Sequence, residues 1–256
     1  MSESVMVTGR SRDLVISLDK LILAFSRHWL LVFNVMLGLY AGLPFLAPIL
    51  MHAGSAGLAN IIYGFYSTQC HQLPQRSFFL FGPKAMLPLA EIQAAWVKTN
   101  DPLILRQFIG NAALGWKVAW SDRMVSMYTS LLFFSLAWQA LRRPARPLPW
   151  WGFILSLSLM ALDGGTHFIS DLAGIGQGFR DGNAWLAALT AHALPATFYA
   201  GDALGSFNSW MRILSGVLFG LGTVWFIFPY LAVGFGDLRR DLETKLSRAG
   251  VLEERA

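Results

Sequence analysis

The sequence predicts an all-α fold, a polytopic helical membrane protein with about four transmembrane helices plus interfacial or re-entrant helices. Three observations predict it. Of 256 residues, 55% are apolar and only 14% are charged, against roughly 25% charged in an average soluble domain. The apolar residues gather into four long runs. The Lys and Arg side chains stand mostly at the ends of those runs, so the net charge of +5 reads as membrane orientation and not as a nucleic-acid surface. The same composition excludes a disordered chain, a coiled coil and a disulfide-stapled secreted domain. Cys70 is the single cysteine, which excludes an intramolecular disulfide and an all-Cys zinc site.

Residues 1–28 form an amphipathic arm, expected on the cytoplasmic side. Leu14, Val15, Leu18, Leu21, Ile22 and Phe25 follow helical spacing, with Asp13, Asp19, Lys20 and Arg27 set away from them. An interfacial helix fits. Met1 to Arg12 is polar and no signal-peptide pattern follows it, so the first span is expected to be retained. Residues 29–233 form the transmembrane domain, with spans at about 29–50, 118–141, 150–169 and 212–233. Trp29 to Leu50 carries no charge. Pro44 and Pro48 in its last third predict a kink or an early end.

Met51 to Lys117 is long for a connection. Its apolar patches, Ile61 to Tyr66 and Ser77 to Leu89, are cut by Gly82, Pro83 and Pro88, which suits re-entrant or interfacial pieces. Asp101-Pro102 followed by Leu103, Ile104, Leu105, Phe108 and Ile109, then Gly110, reads as a short capped helix. The second span follows. Its link to the third, Arg142-Arg143-Pro144-Ala145-Arg146, holds three arginines and no acid. Short basic loops stay cytoplasmic, so alternation places both termini inside and Met51–Lys117 and Ser170–Arg212 outside.

The third span reaches useful length only by including Asp163 and His167. Ser170 to Arg212 opens with Gly174, Gly176, Gly178 and Gly182, without a surrounding strand or phosphate-loop pattern. Its acids Asp171, Asp181 and Asp202 read most simply as solvent-facing or turn residues. The fourth span carries Gly216 and Gly220 at GxxxG spacing, either a helix-packing device or the ordinary glycine content of a span. Residues 234–256 form a charged amphipathic tail in which Leu238, Leu242 and Leu246 recur every four residues.

Under this topology the polar chemistry collects on the outward side: Cys70, His71, Gln72, Arg76, Asp122, Arg123, Asp163 and His167. These are the candidate ligand- or metal-binding residues. A thiolate and an imidazole suit zinc or copper. Two ligands are too few, so His167 or Asp163 would complete the set. The alternative makes Cys70 a small buried residue and His71 a hydrogen-bonding partner. Asp163 and His167 stand at i, i+4, on one helix face. An Asp within a span costs ~2.5–3.5 kcal/mol at the centre, so it needs a partner, and Arg123 is the natural one. That pair is either a lock between two helices or part of a proton or ligand site.

The run Cys70-His71-Gln72-Leu73-Pro74-Gln75-Arg76-Ser77-Phe78-Phe79 resembles the signature of the DUF2085 family of uncharacterised predicted integral membrane proteins. Gly115 to Arg123 closed by Tyr128, Ala161 to Thr166, Asn208 to Arg212 and Gly216 to Gly220 resemble its later blocks, in order. The resemblance covers about Tyr63 to Tyr230. It implies a several-span membrane protein and no known activity. Relatives commonly carry further cysteines in the second block, where this chain has Trp120 and Ser121, a departure that weakens a thiolate metal site. Leu87 to Asn111 and Ser170 to Asn208 look longer than a minimal member needs.

These readings lead to an integral membrane protein with a polar metal- or small-ligand-binding site at the outer face. An accessory or assembly subunit of a larger membrane complex is the alternative, and a lipid-acting membrane enzyme a third. No nucleophile–base pair, phosphate loop or haem-attachment motif is present. The expected partners are the lipid bilayer and a membrane-protein partner or a second copy, with no nucleic acid. The expected location is the plasma membrane of a prokaryote.

Overall fold

The computed structural model describes residues 9–141 and 146–251. Four helices in it are long and apolar enough to cross a membrane: α1 (Arg10–His52), α5 (Asp122–Leu141), α6 (Trp150–Asp171) and α10 (Phe207–Arg248). The remaining helices are short. They are α2 (Ala56–Ser67), α3 (Leu89–Ala95), α4 (Pro102–Leu105), α7 (Phe179–Gly182), α8 (Ala184–Leu189) and α9 (Ala196–Tyr199). The fold is helical and polytopic, as the composition predicts.

The span windows are only 17–33% buried by the rest of the chain. Leu31, Val35, Met36, Leu39, Phe133, Leu136, Ile154, Leu155 and Leu218 all lie on the surface. So continuous an apolar exterior is stable only when lipid covers it. The inward faces are small: Ala41, Ala47, Ser126, Ser130, Ser135, Ser156, Gly216, Gly220 and Gly222 are buried. Between helices already in lipid, close packing replaces the hydrophobic effect as the driving force, and small residues permit it.

The first span does not end early at its prolines. Pro44 has no N–H to offer the carbonyl of Tyr40. The Tyr66 hydroxyl donates to that carbonyl instead, at 2.7 Å, and α1 runs on to His52. The backbone leaves helical geometry at His28 (φ −120°, ψ 16°), where the arm meets the span.

At 43 and 42 residues, α1 and α10 are each about 64 Å long at 1.5 Å per residue, twice the hydrocarbon thickness. Their excess lengths pack on each other. Leu23, Leu242 and Leu246 form a small core flanked by Ile16, Leu238 and Val251. Lys245 pairs with Asp19 at 2.7 Å and Arg27 with Glu243 at 2.7 Å. The tail's leucine repeat therefore finds its partner helix within the chain. The arginine-rich link is outside the described residues apart from Arg146, whose carbonyl accepts from the Trp225 indole at 3.0 Å. The ends of the arm and tail, residues 1–8 and 252–256, are outside them as well.

The other end of the bundle carries a head built from residues 53–121 and 172–206. It holds a three-stranded antiparallel sheet of order β1-β3-β2, with β1 Ser77–Leu80, β2 Gly110–Asn111 and β3 Gly115–Ser121. This corrects two expectations. Residues 118–121 are strand, so the second span begins at Asp122. The patch from Ser77 opens as a strand and not as a re-entrant piece. Nearly every residue of β3 is buried; a strand covered on both faces shows no alternation to read. The capped helix expected at Asp101 is present, with the Asp101 carboxylate accepting from Leu103 N at 2.8 Å. It stops at Leu105, and Gly110 starts β2.

Candidate functional site

The head meets the spans through buried charge. Arg76 follows a 3-10 turn (Pro74–Arg76) and its side chain is 4% exposed. It donates from Nη1 and Nη2 to both oxygens of Asp171 (2.6 and 2.8 Å) and from Nε to Asp202 Oδ2 (2.8 Å). Arg212, in the second turn of α10, donates from Nε to Asp122 (2.8 Å) and from Nη1 to Asp202 Oδ1 (2.7 Å). Arg123 donates from Nη2 to Asp163 Oδ2 (2.6 Å). Arg180 donates from Nη2 to Asp163 Oδ1 (2.9 Å) and from Nη1 to Thr166 Oγ1 (3.0 Å), and lies 3.1 Å from His167 Nε2. Four arginines thus balance four aspartates in two sets, Asp171–Arg76–Asp202–Arg212–Asp122 and Arg123–Asp163–Arg180, partly bidentate pairing of the kind that makes buried charge tolerable.

Local structure aims these groups. Asp122 opens α5, where a carboxylate is favoured by the exposed N–H groups of the first turn, and it also accepts from Arg123 N at 2.8 Å. Ser206 caps α10 by accepting from Ser209 N at 3.2 Å, which sets the start of the helix that carries Arg212. The connection from α6 to α10 is pinned by two asparagines. Asn183 Nδ2 donates to the carbonyls of Arg180 and Tyr199, and Asn208 Nδ2 to those of Arg180 and Gly201. Gly178 rests against α6 so closely that a Cβ there would lie 2.2 Å from the carbonyl oxygen of Ser170. That close approach, and not a phosphate loop, accounts for this glycine.

Asp202 is therefore no solvent-facing turn residue. Burial pushes its carboxyl up, but the Arg76 and Arg212 guanidiniums outweigh burial and hold it well below the usual carboxylate range. Asp171 is likewise committed, to Arg76.

Around these pairs lies a small cavity of about 80 Å³, lined among others by His71, Arg76, Arg123, His167, Asp171 and Arg212. At about 30 Å³ per water it holds two or three waters or one small anion. Two of the lining residues each carry a buried nitrogen without a hydrogen-bond partner among the described residues, Arg123 Nε and His167 Nδ1.

Of the residues singled out in the sequence, His71, Arg76, Arg123 and His167 line this cavity. Asp122 and Asp163 stand behind it as counter-charges. Gln72 does not line it: its amide nitrogen donates to the carbonyls of Tyr63 (3.0 Å) and Ala119 (2.8 Å), tying α2 to β3. Cys70 does not line it either. Its thiol donates to Ser121 Oγ at 3.5 Å and accepts from Gln72 N at 3.4 Å. The zinc or copper set drawn from Cys70, His71, His167 and Asp163 is not assembled, and no three His, Cys, Asp or Glu residues among the described ones gather to hold a metal. Arg76, Arg123 and Arg212 line the same cavity as the two imidazoles, and cations of fixed charge repel a metal ion.

Reading the sequence alone missed Arg180, Asp171, Asp202 and Arg212 as partners. It also missed Lys117, whose side chain is wholly buried and donates from Nζ to the carbonyl of Gln72 at 2.9 Å. Burial pulls the Lys117 amine down to about 7. Burial pushes the Cys70 thiol up, but hydrogen bonding to His71 and Ser121 and the charge of His71 prevail and hold it at about 7. The one available signal was arithmetic: seven acids and eight bases outside the arm, link and tail, too many for a membrane domain unless paired.

No family model matches the chain, and no solved structure matches it. The chain is similar to an uncharacterized protein of Methanocaldococcus jannaschii, with 38% identity over 64 residues, covering 23% of this chain and 40% of that protein. The match therefore spans well under half of the relative's length.

Proposed function

We propose that this integral membrane protein binds a small oxyanion, free or carried on a lipid headgroup, in the arginine–histidine cavity beneath its head. The observation that carries the reading is one small cavity lined by three guanidiniums and two imidazoles, those of Arg76, Arg123, Arg212, His71 and His167. An oxyanion supplies acceptors to such a donor set. The single lining carboxylate, Asp171, is held by Arg76, so nitrogen donors dominate the surface a ligand meets. In this proposal the head faces outward, both termini are cytoplasmic, the host membrane is a prokaryotic plasma membrane and the chain is a member of DUF2085. The arm and tail standing at one end of the bundle, opposite the head, support that orientation.

The test is thermal unfolding of detergent-purified, delipidated protein titrated with inorganic phosphate, sulfate or acetate at constant ionic strength. One oxyanion should raise Tm saturably, and Arg123→Gln should abolish the rise. Asp163 keeps Arg180 as a partner, so that variant retains a paired carboxylate. Equal response of wild type and variant, or no response to any oxyanion, overturns the proposal. A phosphate-bearing lipid that stays bound through purification and is lost in Arg123→Gln, seen by native mass spectrometry, identifies a headgroup as the source.

One observation favours a second reading, an assembly subunit. Leu14, Leu18, Leu21 and Phe25 are 62, 48, 67 and 37% exposed and form one stripe along the arm. A monodisperse monomer by light scattering, with no partner captured by cross-linking in membranes, would remove it.

A further inference from the structure

The cavity beneath the head lies at the ends of the spans and not deep among them. Arg123 is in the first turn of α5, and Asp171 is the last residue of α6. Trp210, half exposed on α10, comes two residues before Arg212, about 3 Å along the helix axis. Trp185, in the connection from α6 to α10, is half exposed as well. Exposed tryptophans mark the headgroup level of a bilayer, so the cavity stands at the depth of lipid phosphates.

One wall of the cavity also faces sideways. Asp163 and His167 belong to the buried face of α6. Gly164 and Phe168, the neighbouring ridge at i, i+4, line the cavity too, and Phe168 is 67% exposed. Around them Leu162, Ile169 and Leu172 are exposed, a surface that lipid covers. Arg123 is the most open of the four arginines, with 18% of its side chain exposed against 2–8% for Arg76, Arg180 and Arg212. Its Nη2 is taken by Asp163, while Nη1 makes no hydrogen bond among the described residues. Nη1 lies against the bare backbone of Gly164, where an added Cβ would come within 3.2 Å of it.

We infer that the oxyanion is the phosphate of a membrane phospholipid, which enters the cavity sideways from the head-side leaflet between Arg123 and Phe168. The inference rests on the oxyanion reading and narrows it to one class of ligand. Arg123 meets the phosphate at the bilayer edge with charge-assisted N–H···O bonds. The acyl chains stay in the bilayer along Phe168 and Ile169, so a cavity of about 80 Å³ has to admit the phosphate alone. A free anion gains the same hydrogen bonds but none of the apolar contact.

Three probes decide it in the full-length, delipidated protein in detergent: dihexanoyl-phosphatidylglycerol, its deacylated headgroup glycerophosphoglycerol, and dihexanoylglycerol. Each is titrated, and its affinity is read from the saturation of the Tm rise. The phospholipid should bind roughly tenfold tighter than either fragment, or better. Gly164→Leu, which fills the wall beside Arg123, should remove that advantage. If Gly164→Leu fails to fold, Phe168→Asp takes its place with the same expectation, because it sets a carboxylate at the exposed mouth. Equal affinity of the phospholipid and its headgroup overturns the lipid inference and leaves the oxyanion reading standing. Equal affinity of the phospholipid and dihexanoylglycerol overturns it too, as does an advantage that the variant leaves untouched. No response to the phospholipid also overturns it; the oxyanion reading then falls only if inorganic phosphate, sulfate and acetate fail as well.

Discussion

The spans and the head of this protein are held together by opposite means. In the bundle, α10 meets α5 through residues with almost no side chain. A Cβ added at Gly216 would lie 2.0 Å from Ser126 Oγ, and one at Gly220 would lie 2.8 Å from Leu131 N, so α10 rides directly on α5. Where the head meets the spans, the contacts are long, charged side chains that reach across elements far apart in sequence: Arg76 to Asp202, and Arg212 to Asp122. Lipid offers the bundle no hydrophobic contrast, so proximity itself must supply the attraction. The head has ordinary apolar cores around Trp120 and around Leu87 and Ile92, and can carry a costly polar layer between them and the membrane.

That contrast can be broken first at its charged side. Arg212→Met leaves Asp122, which is fully buried, without its guanidinium, and should cost about 3–5 kcal/mol in unfolding free energy. Arg212→Met with Asp122→Leu should recover part of that loss, because an apolar pair is tolerated where a lone carboxylate is not. A double variant no more stable than the single one would show that the network and not the pair is the unit.

On the bundle side, Gly220→Leu forces α10 off the α5 backbone and should cost about 1–3 kcal/mol. The same change at Gly234, where an added Cβ meets nothing within 4 Å, should cost far less. Equal losses at both would remove close packing as the explanation.

The head should also show a pH dependence of its own. The Lys117 amine and the Cys70 thiol are both held at about 7 when folded, below their ordinary values of 10.5 and 9.0. Between these limits the unfolded chain binds more protons than the folded one, so stability rises with pH, by up to about 1.4 kcal/mol per pH unit for each fully titrating group. Thermal unfolding should therefore shift upward from pH 7 to pH 9. Lys117→Met should flatten the slope; an unchanged slope would mean that Lys117 stays charged in its buried site.

The smallest effect belongs to the polar contact inside the bundle. Asn34 Nδ2 donates to Gln139 Oε1 at 2.6 Å, and Ser135 Oγ donates to Asn34 Oδ1. Asn34→Leu should cost about 0.6 kcal/mol, the typical worth of such bonds between spans. A loss comparable with that of Arg212→Met would erase the distinction between the two regions.

The four spans were legible because length and composition are local properties, and a lipid-facing helix has to be apolar whatever it touches. The Asp163–Arg123 contact was legible for a related reason: a charge in a span demands a partner, and a short link delivers one. The rest of the site was not. Arg76 and Asp202 are separated by 126 residues, and nothing near Asp202 distinguishes a network carboxylate from a turn carboxylate. Cys70 and His71 misled by adjacency. His71 lines the cavity while Cys70 is buried beside it against Ser121.

By itself the sequence determined that this chain is a helical membrane protein, where its spans run, and that its charges cluster between them and need pairing. Hydropathy and charge density carry that much because transfer into lipid is a sum over residues. Beyond the Asp163–Arg123 pair, only the tertiary structure decided which arginine meets which aspartate. It also decided that β3 is a strand, that the arm and tail pair with each other, and that a cavity lies among the buried arginines. Those are outcomes of geometry between distant segments, where burial on both faces removes periodicity and a charge is identified by the partner it reaches.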